Sequence, residues 1–159
     1  MRSTPLIAFA FAVACASQKP LTTPKELEVP PDGSKLLFSG KAEGAQIYAC
    51  ATEGWKLKAP DAEVVNDAGD KLRHYAGPTW EASDGSKVVG EVKAKAQVDA
   101  AAIPWLLLGA KTTEGTGQLA HTRWIQRLET RGGKAPDGGC QAGAEVRVPY
   151  AALYRFWGS

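Results

Sequence analysis

His74 and Glu81 are the residues of this sequence best placed to do chemistry together, and the short stretch that holds them also contains Trp80. A histidine beside a carboxylate can take up and release protons near neutral pH. The ring of Trp80 offers flat apolar area with a polar edge, which suits a sugar, a lipid or an aromatic metabolite. The stretch therefore predicts either a ligand-binding site or an acid–base pair, with Arg127 as a further polar contact.

Each of these candidates also has a structural interpretation. A histidine is more often a hydrogen-bonded structural residue than a catalyst, and most tryptophans in a domain of this size belong to the core. Glu81 is equally consistent with a solvated strand position, and Arg127 with a surface ion pair to Glu129. Both interpretations stay open at the level of sequence.

His74, Trp80 and Glu81 lie in the stretch from Lys71 to Val98, whose sequence predicts strands separated by turns. Pro78 interrupts the first strand because proline has no N–H to give to a ladder. Asp84-Gly85 is a hairpin signal, since both residues tolerate the positive φ of a tight turn. From Val88 to Val98 apolar residues alternate with charged or amide residues, which is typical of a strand with one wet face.

The rest of the chain has the same character. Seventeen glycines and ten prolines in 159 residues indicate many turns. The pattern predicts about ten short strands, four of them Leu36 to Ser39, Gly44 to Cys50, Trp55 to Lys58 and Ala62 to Val65. With no long helical period, we predict an all-β fold, a single antiparallel β-sandwich or barrel over residues 34–159.

The first 16 residues have the features of a secretory signal. Arg2 supplies a positive start, and the apolar run from Leu6 to Val13 is too short to span a bilayer. Phe11 to Cys15 resembles a bacterial lipobox, in which Cys15 is acylated, whereas Ala14 to Ala16 fits ordinary signal peptidase. We expect an exported protein, either lipid-anchored in the cell envelope or secreted, with a membrane contact only through the anchor.

Residues 17–33 predict a linker between this signal and the domain. The segment contains Pro20, Pro24, Pro30 and Pro31 and shows little apolar periodicity. Such a composition favours a semi-rigid tether, and we expect ordered structure to start near Leu36.

Cys50 and Cys140 remain as a pair once Cys15 is acylated or removed. In an oxidising compartment such a pair favours a disulfide. A bridge over about 90 residues removes roughly 4 to 5 kcal/mol of unfolded-state freedom in the chain-entropy model. A metal site is the alternative, but neither His74 nor His121 lies at a recognisable ligand spacing, so we expect none.

Other classes of ligand find little support. A net charge of +2 comes from evenly mixed charges rather than from a basic block, which excludes the electrostatic footprint of nucleic-acid binding. The glycines of Gly115 to Ala120 formally match a dinucleotide-binding turn, but no strand immediately precedes them and a strand pattern follows. We predict a hairpin loop there and no cofactor.

Several motifs resemble one family. They are His74 to Glu81, Asp84 to Ser86, Ile103 to Leu108, Ile125 to Arg127 with Thr130, Gly132-Gly133, Pro136, Cys140, and Val148 to Tyr150 with Tyr154. Together they are similar to the secreted bacterial and fungal proteins grouped as domain of unknown function 3455, over residues from about Leu36 to Trp157. The resemblance implies a secreted location and brings no catalytic residues.

Three functional hypotheses follow. The first is a non-enzymatic envelope domain that binds a small molecule or an envelope component through His74, Trp80, Glu81 and Arg127. The second is a hydrolase or isomerase that uses His74 with a carboxylate, and the third is a structural lipoprotein without a ligand. The sequence leaves the identity of the ligand and the oligomeric state open.

Overall fold

A computed structural model describes residues 22–159 of the chain. The predicted signal segment with Cys15, and the beginning of the predicted tether, lie outside the described residues. The described chain contains a 3-10 helix (Lys25–Leu27) and eight strands: β1 (Lys35–Ala51), β2 (Gly54–Val65), β3 (Lys71–Tyr75), β4 (Thr79–Ala82), β5 (Lys87–Ala96), β6 (Trp105–Glu114), β7 (Thr122–Gly132) and β8 (Glu145–Gly158). No helix within residues 22–159 has the length and apolar character that crossing a membrane requires.

The strands form a closed antiparallel barrel in sequence order, with β8 returning to pair with β1. The predicted all-β antiparallel fold is confirmed, and of the two predicted architectures the barrel is the one present. The predicted disulfide is also confirmed, since Cys50 and Cys140 are bonded and their Cα atoms lie 5.7 Å apart. The bridge ties the loop after β7 to the end of β1.

The predicted strand boundaries were wrong in the first half of the barrel, which explains eight strands instead of about ten. β1 joins the two predicted strands Leu36 to Ser39 and Gly44 to Cys50 and runs through the residues between them, 40–43. A Cβ at Gly44 would collide with the backbone of Asp61 and Ala62, so this glycine permits a close approach of β1 and β2 rather than a turn. Pro60 likewise lies inside β2, where only β1 is a hydrogen-bonding neighbour.

One end of the barrel is filled with side chains. Phe38 and Phe156 meet edge to face with ring centroids 5.7 Å apart, and Leu119 from the loop between β6 and β7 is fully buried beside them in the same core. Asp84 holds this loop by accepting hydrogen bonds from the Gln118 N–H (2.7 Å) and from Ser86. The segment Gly115 to Ala120 is therefore a hairpin loop, as predicted, that closes this end.

The predicted tether is packed on the barrel in its described part, so the expected start of ordered structure near Leu36 was wrong. Leu27 is fully buried against Trp105, Leu107 and Leu128 on the outer face of β6 and β7. Its carbonyl accepts a hydrogen bond from Gln126 Nε2 at 2.7 Å. This outer face is apolar, so it needs a cover, and the proline-rich segment supplies one.

We predict that Leu27→Ala destabilises the protein by about 2 to 4 kcal/mol, because it empties a fully buried position. The matched control is Leu36→Ala, since Leu36 is 48% exposed. Urea denaturation of both variants measures the difference. Equal stability of the two variants would show that the segment does not pack on the barrel in solution.

Candidate functional site

The wall of the barrel has an opening because its strands differ in length. β3 and β4 have only five and four residues, whereas β2 has 12 and β5 has 10. β2 therefore pairs with β3 only at residues 62–65, and β5 pairs with β4 only at residues 87–89. Residues 54–61 of β2 and 90–96 of β5 have no strand between them in the described chain. We call this gap, which the turn at Gly77-Pro78 bounds, the window.

A cavity of about 350 Å³ lies behind the window, inside the half of the barrel opposite to the packed end. Its lining is Gln46, Leu57, Lys58, Ala59, Pro60, His74, Gly77, Pro78, Trp80, Val92, Leu106, Leu108, Arg127 and Tyr154. Leu57 and Val92 are 56% and 50% exposed, so the two strands that flank the window each present an apolar side chain there. Val92 lies on the predicted apolar face of its strand but is exposed, because β4 pairs with β5 only as far as Val89 and leaves Val92 at the window.

Three of the four predicted site residues line this cavity together. His74 and Trp80 face each other across β3 and β4, and their rings stack with centroids 4.3 Å apart and planes 6° apart. Tyr154 from β8 packs edge-on against both rings at 5.3 and 5.4 Å. Arg127 enters from β7. Residues from β3, β4, β7 and β8 thus converge on one point of the barrel interior.

Glu81 does not join them, and this part of the predicted site is corrected. It follows Trp80 in the same strand, and successive side chains of a strand point to opposite faces. Its carboxylate accepts a hydrogen bond from the Tyr75 hydroxyl at 2.9 Å, on the outer face of the barrel. Asp84 accepts hydrogen bonds from Gln118 and Ser86 at the packed end. Within residues 22–159, His74 consequently has no carboxylate partner.

His74 is buried and neutral. Its Nδ1 lies 2.9 Å from the Thr79 carbonyl oxygen, which can only accept, so Nδ1 carries the proton. Nε2 is then free to accept a hydrogen bond from the Tyr154 hydroxyl at 3.3 Å. Burial lowers the pKa of His74 from 6.5 to about 4, against the opposing effect of the Thr79 carbonyl. The ring is therefore held in one tautomer and presents no charge to the cavity at neutral pH.

Arg127 points inward rather than to the protein surface. Its Nε and Nη2 donate to the Pro104 carbonyl oxygen at 3.2 and 2.9 Å. The surface ion pair with Glu129 that the sequence also allowed is absent, and Arg127 has no carboxylate within 4 Å among the described residues. A guanidinium held by a neutral acceptor is thus part of the cavity wall.

Gln46 is the functional candidate that sequence analysis missed. It is 2% exposed, lines the cavity, and its Nε2 has no acceptor within the described chain. Trp80 Nε1 is in the same situation. The alternation of side chains along β1 could have indicated this position, because Gln46 lies on the same side of the strand as the inward residues Phe38, Ala42 and Tyr48. Buried donors without acceptors are rare in folded proteins and call for an explanation.

Sequence comparison identifies the family of this chain. A family model described as protein of unknown function, DUF3455, matches residues 30–158. The chain belongs to the DUF3455 family. The match covers all eight strands of the DUF3455 barrel and the last residues of the segment that packs on it. Comparisons with curated proteins and with solved structures found no match.

The buried state of His74 predicts a specific dependence of stability on pH. The unfolded chain protonates near pH 6.5 and the native ring only near pH 4, so stability is complete above pH 6.5 and falls as the pH is lowered toward 4. Between pH 7 and 4.5 this residue should account for a loss of about 2 to 3 kcal/mol.

The measurement is urea denaturation of the wild type and of His74→Gln at both pH values. Effects of carboxylates are common to both proteins and cancel in the comparison. The wild type should lose more stability than the variant. Parallel losses in the two proteins would show that the imidazole is already protonated, or exposed, in the native state.

Proposed function

We propose that this DUF3455 protein binds a small, largely apolar molecule inside the barrel, and that the molecule enters through the window between β2 and β5. One observation carries the proposal. The barrel interior is tightly filled at one end, yet the other half holds a cavity of about 350 Å³ whose wall contains buried donors without acceptors. A ligand would fill the volume, and it would supply an acceptor to the Gln46 amide once that side chain rotates.

The composition of the cavity wall supports a mainly apolar ligand. Leucine, valine, proline and aromatic side chains form most of the lining, with few polar groups among them. This is the usual make-up of a small-molecule site, in which apolar contacts give affinity and polar groups fix orientation. Leu57 and Val92 extend the apolar surface to the window. Their exposure to water is unfavourable unless a ligand covers them.

The end of the barrel nearest the disulfide is also fixed in position before any ligand arrives. The Cys50–Cys140 bridge holds the loop between β7 and β8. At the start of the same loop, the Tyr48 hydroxyl donates to the Gly133 carbonyl oxygen at 2.6 Å. A loop that is already ordered loses less conformational entropy when a ligand binds, and this favours a preformed site.

The alternative functions receive less support from the geometry. Acid–base catalysis by His74 lacks a neighbouring carboxylate in the described residues, and the imidazole stays neutral well below physiological pH. A purely structural role leaves the cavity without a reason, since filling a cavity of this size with larger side chains would add stability.

The proposal includes export and anchoring of the domain. The apolar run from Leu6 to Val13 and the lipobox-like residues before Cys15 support it, and a disulfide is compatible with an oxidising compartment. Mass spectrometry of the mature protein should find an N-terminal cysteine with attached acyl chains. An unmodified N-terminus after Ala16 would favour a free exported form, and an intact Met1 would contradict export.

A bulky side chain in the window should block entry. We predict that Val92→Trp weakens binding of the neutral fluorescent probe N-phenyl-1-naphthylamine by about tenfold or more, because Val92 lies in the window. The matched control is Val98→Trp. Val98 is exposed to the same degree, 51%, but is not part of the cavity wall.

Probe fluorescence, titrated with each protein, measures the affinity. Equal weakening by both substitutions, or by neither, would show that the probe does not enter through the window. Absence of saturable binding to the wild type, with this probe and in a thermal-shift screen of apolar metabolites, would contradict the proposed function itself.

A further inference from the structure

We propose that the ligand of this cavity is an amphipathic organic anion: an apolar body with a single oxyanion group, such as a carboxylate or a sulfonate, that Arg127 and Gln46 bind. This inference rests on the proposed function and adds the chemical class of the ligand. It comes from the polar groups of the cavity wall, which include the cationic guanidinium of Arg127 but no carboxylate.

The guanidinium of Arg127 carries the first part of the argument. Its two hydrogen bonds go to one neutral oxygen, that of Pro104, and Nη1 makes none within the described residues. Other cations near the window are paired, since Lys58 bonds to Glu145 and Arg147 bonds to Asp61 at 2.7 Å. A partly buried charge without a counter-ion is unfavourable, and a bound oxyanion would compensate it with charge-assisted hydrogen bonds.

The amide of Gln46 carries the second part independently. Gln46 lines the cavity, and its Nε2, which is fully buried, has two N–H groups with no acceptor in the described chain. A rotation of the side-chain amide would turn these N–H groups toward a ligand. Trp80 Nε1 also lacks an acceptor, but it is fully buried and has no accessible surface toward the cavity. An unpaired buried donor is unfavourable in a folded protein, so a ligand that supplies an acceptor to the Gln46 amide would gain affinity from it.

The cavity wall contains no anionic group of its own, since none of its lining residues is an aspartate or a glutamate. Its side-chain acceptors are neutral: His74 Nε2, which already accepts from the Tyr154 hydroxyl, the amide oxygen of Gln46 and the hydroxyl oxygen of Tyr154. Burial raises the pKa of the Tyr48 and Tyr154 hydroxyls and lowers the pKa of His74, and Arg127 is close enough to each of the three to add a smaller, lowering effect. The positive charge of Arg127 therefore acts inside the barrel. The wall therefore favours an anion over a neutral or cationic ligand.

The remaining lining determines the rest of the ligand. Leu57, Val92, Leu106 and Leu108 give apolar contacts that inorganic anions cannot use. An apolar body therefore occupies the volume toward the window, with the oxyanion toward Arg127 and Gln46.

Two probes with the same ring system separate the charge from the apolar contacts. They are 1-anilinonaphthalene-8-sulfonate, called the sulfonate probe here, and N-phenyl-1-naphthylamine, which lacks the sulfonate. We expect the wild-type protein to bind the sulfonate probe about tenfold more tightly or better, since hydrogen bonds to a charged group are the stronger kind. In Arg127→Met the ratio of the two affinities should fall by about ten- to one-hundredfold.

Two further variants keep the test valid if Arg127→Met does not fold. Arg127→Lys retains a charge and should retain part of the preference for the sulfonate probe. Gln46→Met should lower that preference while raising the melting temperature of the free protein, because it removes a buried donor that has no partner. A role of Gln46 in folding alone would lower the melting temperature instead.

The outcomes separate the two proposals. If neither probe binds, the proposed function fails and the inference fails with it. If both bind with equal affinity, or if the ratio is unchanged in the Arg127 and Gln46 variants, the cavity binds apolar molecules but the anion is not recognised. A ratio that falls in Arg127→Met and Gln46→Met, with both proteins folded, supports the inference.

Discussion

The stack of His74 on Trp80 separates the tightly packed part of the barrel interior from the cavity. Trp80 contacts Tyr154 on one side and Phe156 on the other, so the packed core ends at its ring. Burial keeps the stacked imidazole neutral, and the hydrogen bond to the Thr79 carbonyl fixes the orientation of its ring. Because this stack forms the floor of the cavity, the depth of the site and the position of Arg127 above it depend on the same pair of rings.

Because β3 and β4 are short, the wall of the barrel has an opening. Eight strands enclose a space that side chains fill or that holds one small ligand. Strands β3 and β4 as long as their neighbours would pair along β2 and β5 and close the side of the barrel. Here the β3–β4 hairpin pairs with its neighbours only near the packed end. The exposed edges of β2 and β5 remain separated, and the interior is accessible through the side. The apolar residues at this edge, Leu57 and Val92, are then understandable as part of a binding surface.

Much of the architecture could be predicted from the sequence, because alternation, turn residues and the cysteine pair are local signals. Alternation also excludes Trp80 and Glu81 from sharing a face, so the error over Glu81 was avoidable. The role of Arg127 was not predictable in the same way, since its acceptor, the Pro104 carbonyl, lies on a loop that only the closed barrel brings near. Leu27 illustrates a further limit: a proline-rich composition suggests a tether, but packing depends on the outer face of distant strands.

The most direct test is a ¹⁵N NMR titration with the sulfonate probe that follows side-chain N–H resonances. Trp80 Nε1 reports on the cavity, whereas Trp124 Nε1 and Trp157 Nε1 are bonded on the outer face to Asp32 and Gln126. We predict saturable shifts of Trp80 Nε1, the Gln46 amide and Arg127 Nε, with the two outer tryptophans unchanged. Shifts confined to Trp124 and Trp157 would show that the probe binds outside the barrel, and would contradict a ligand site behind the window.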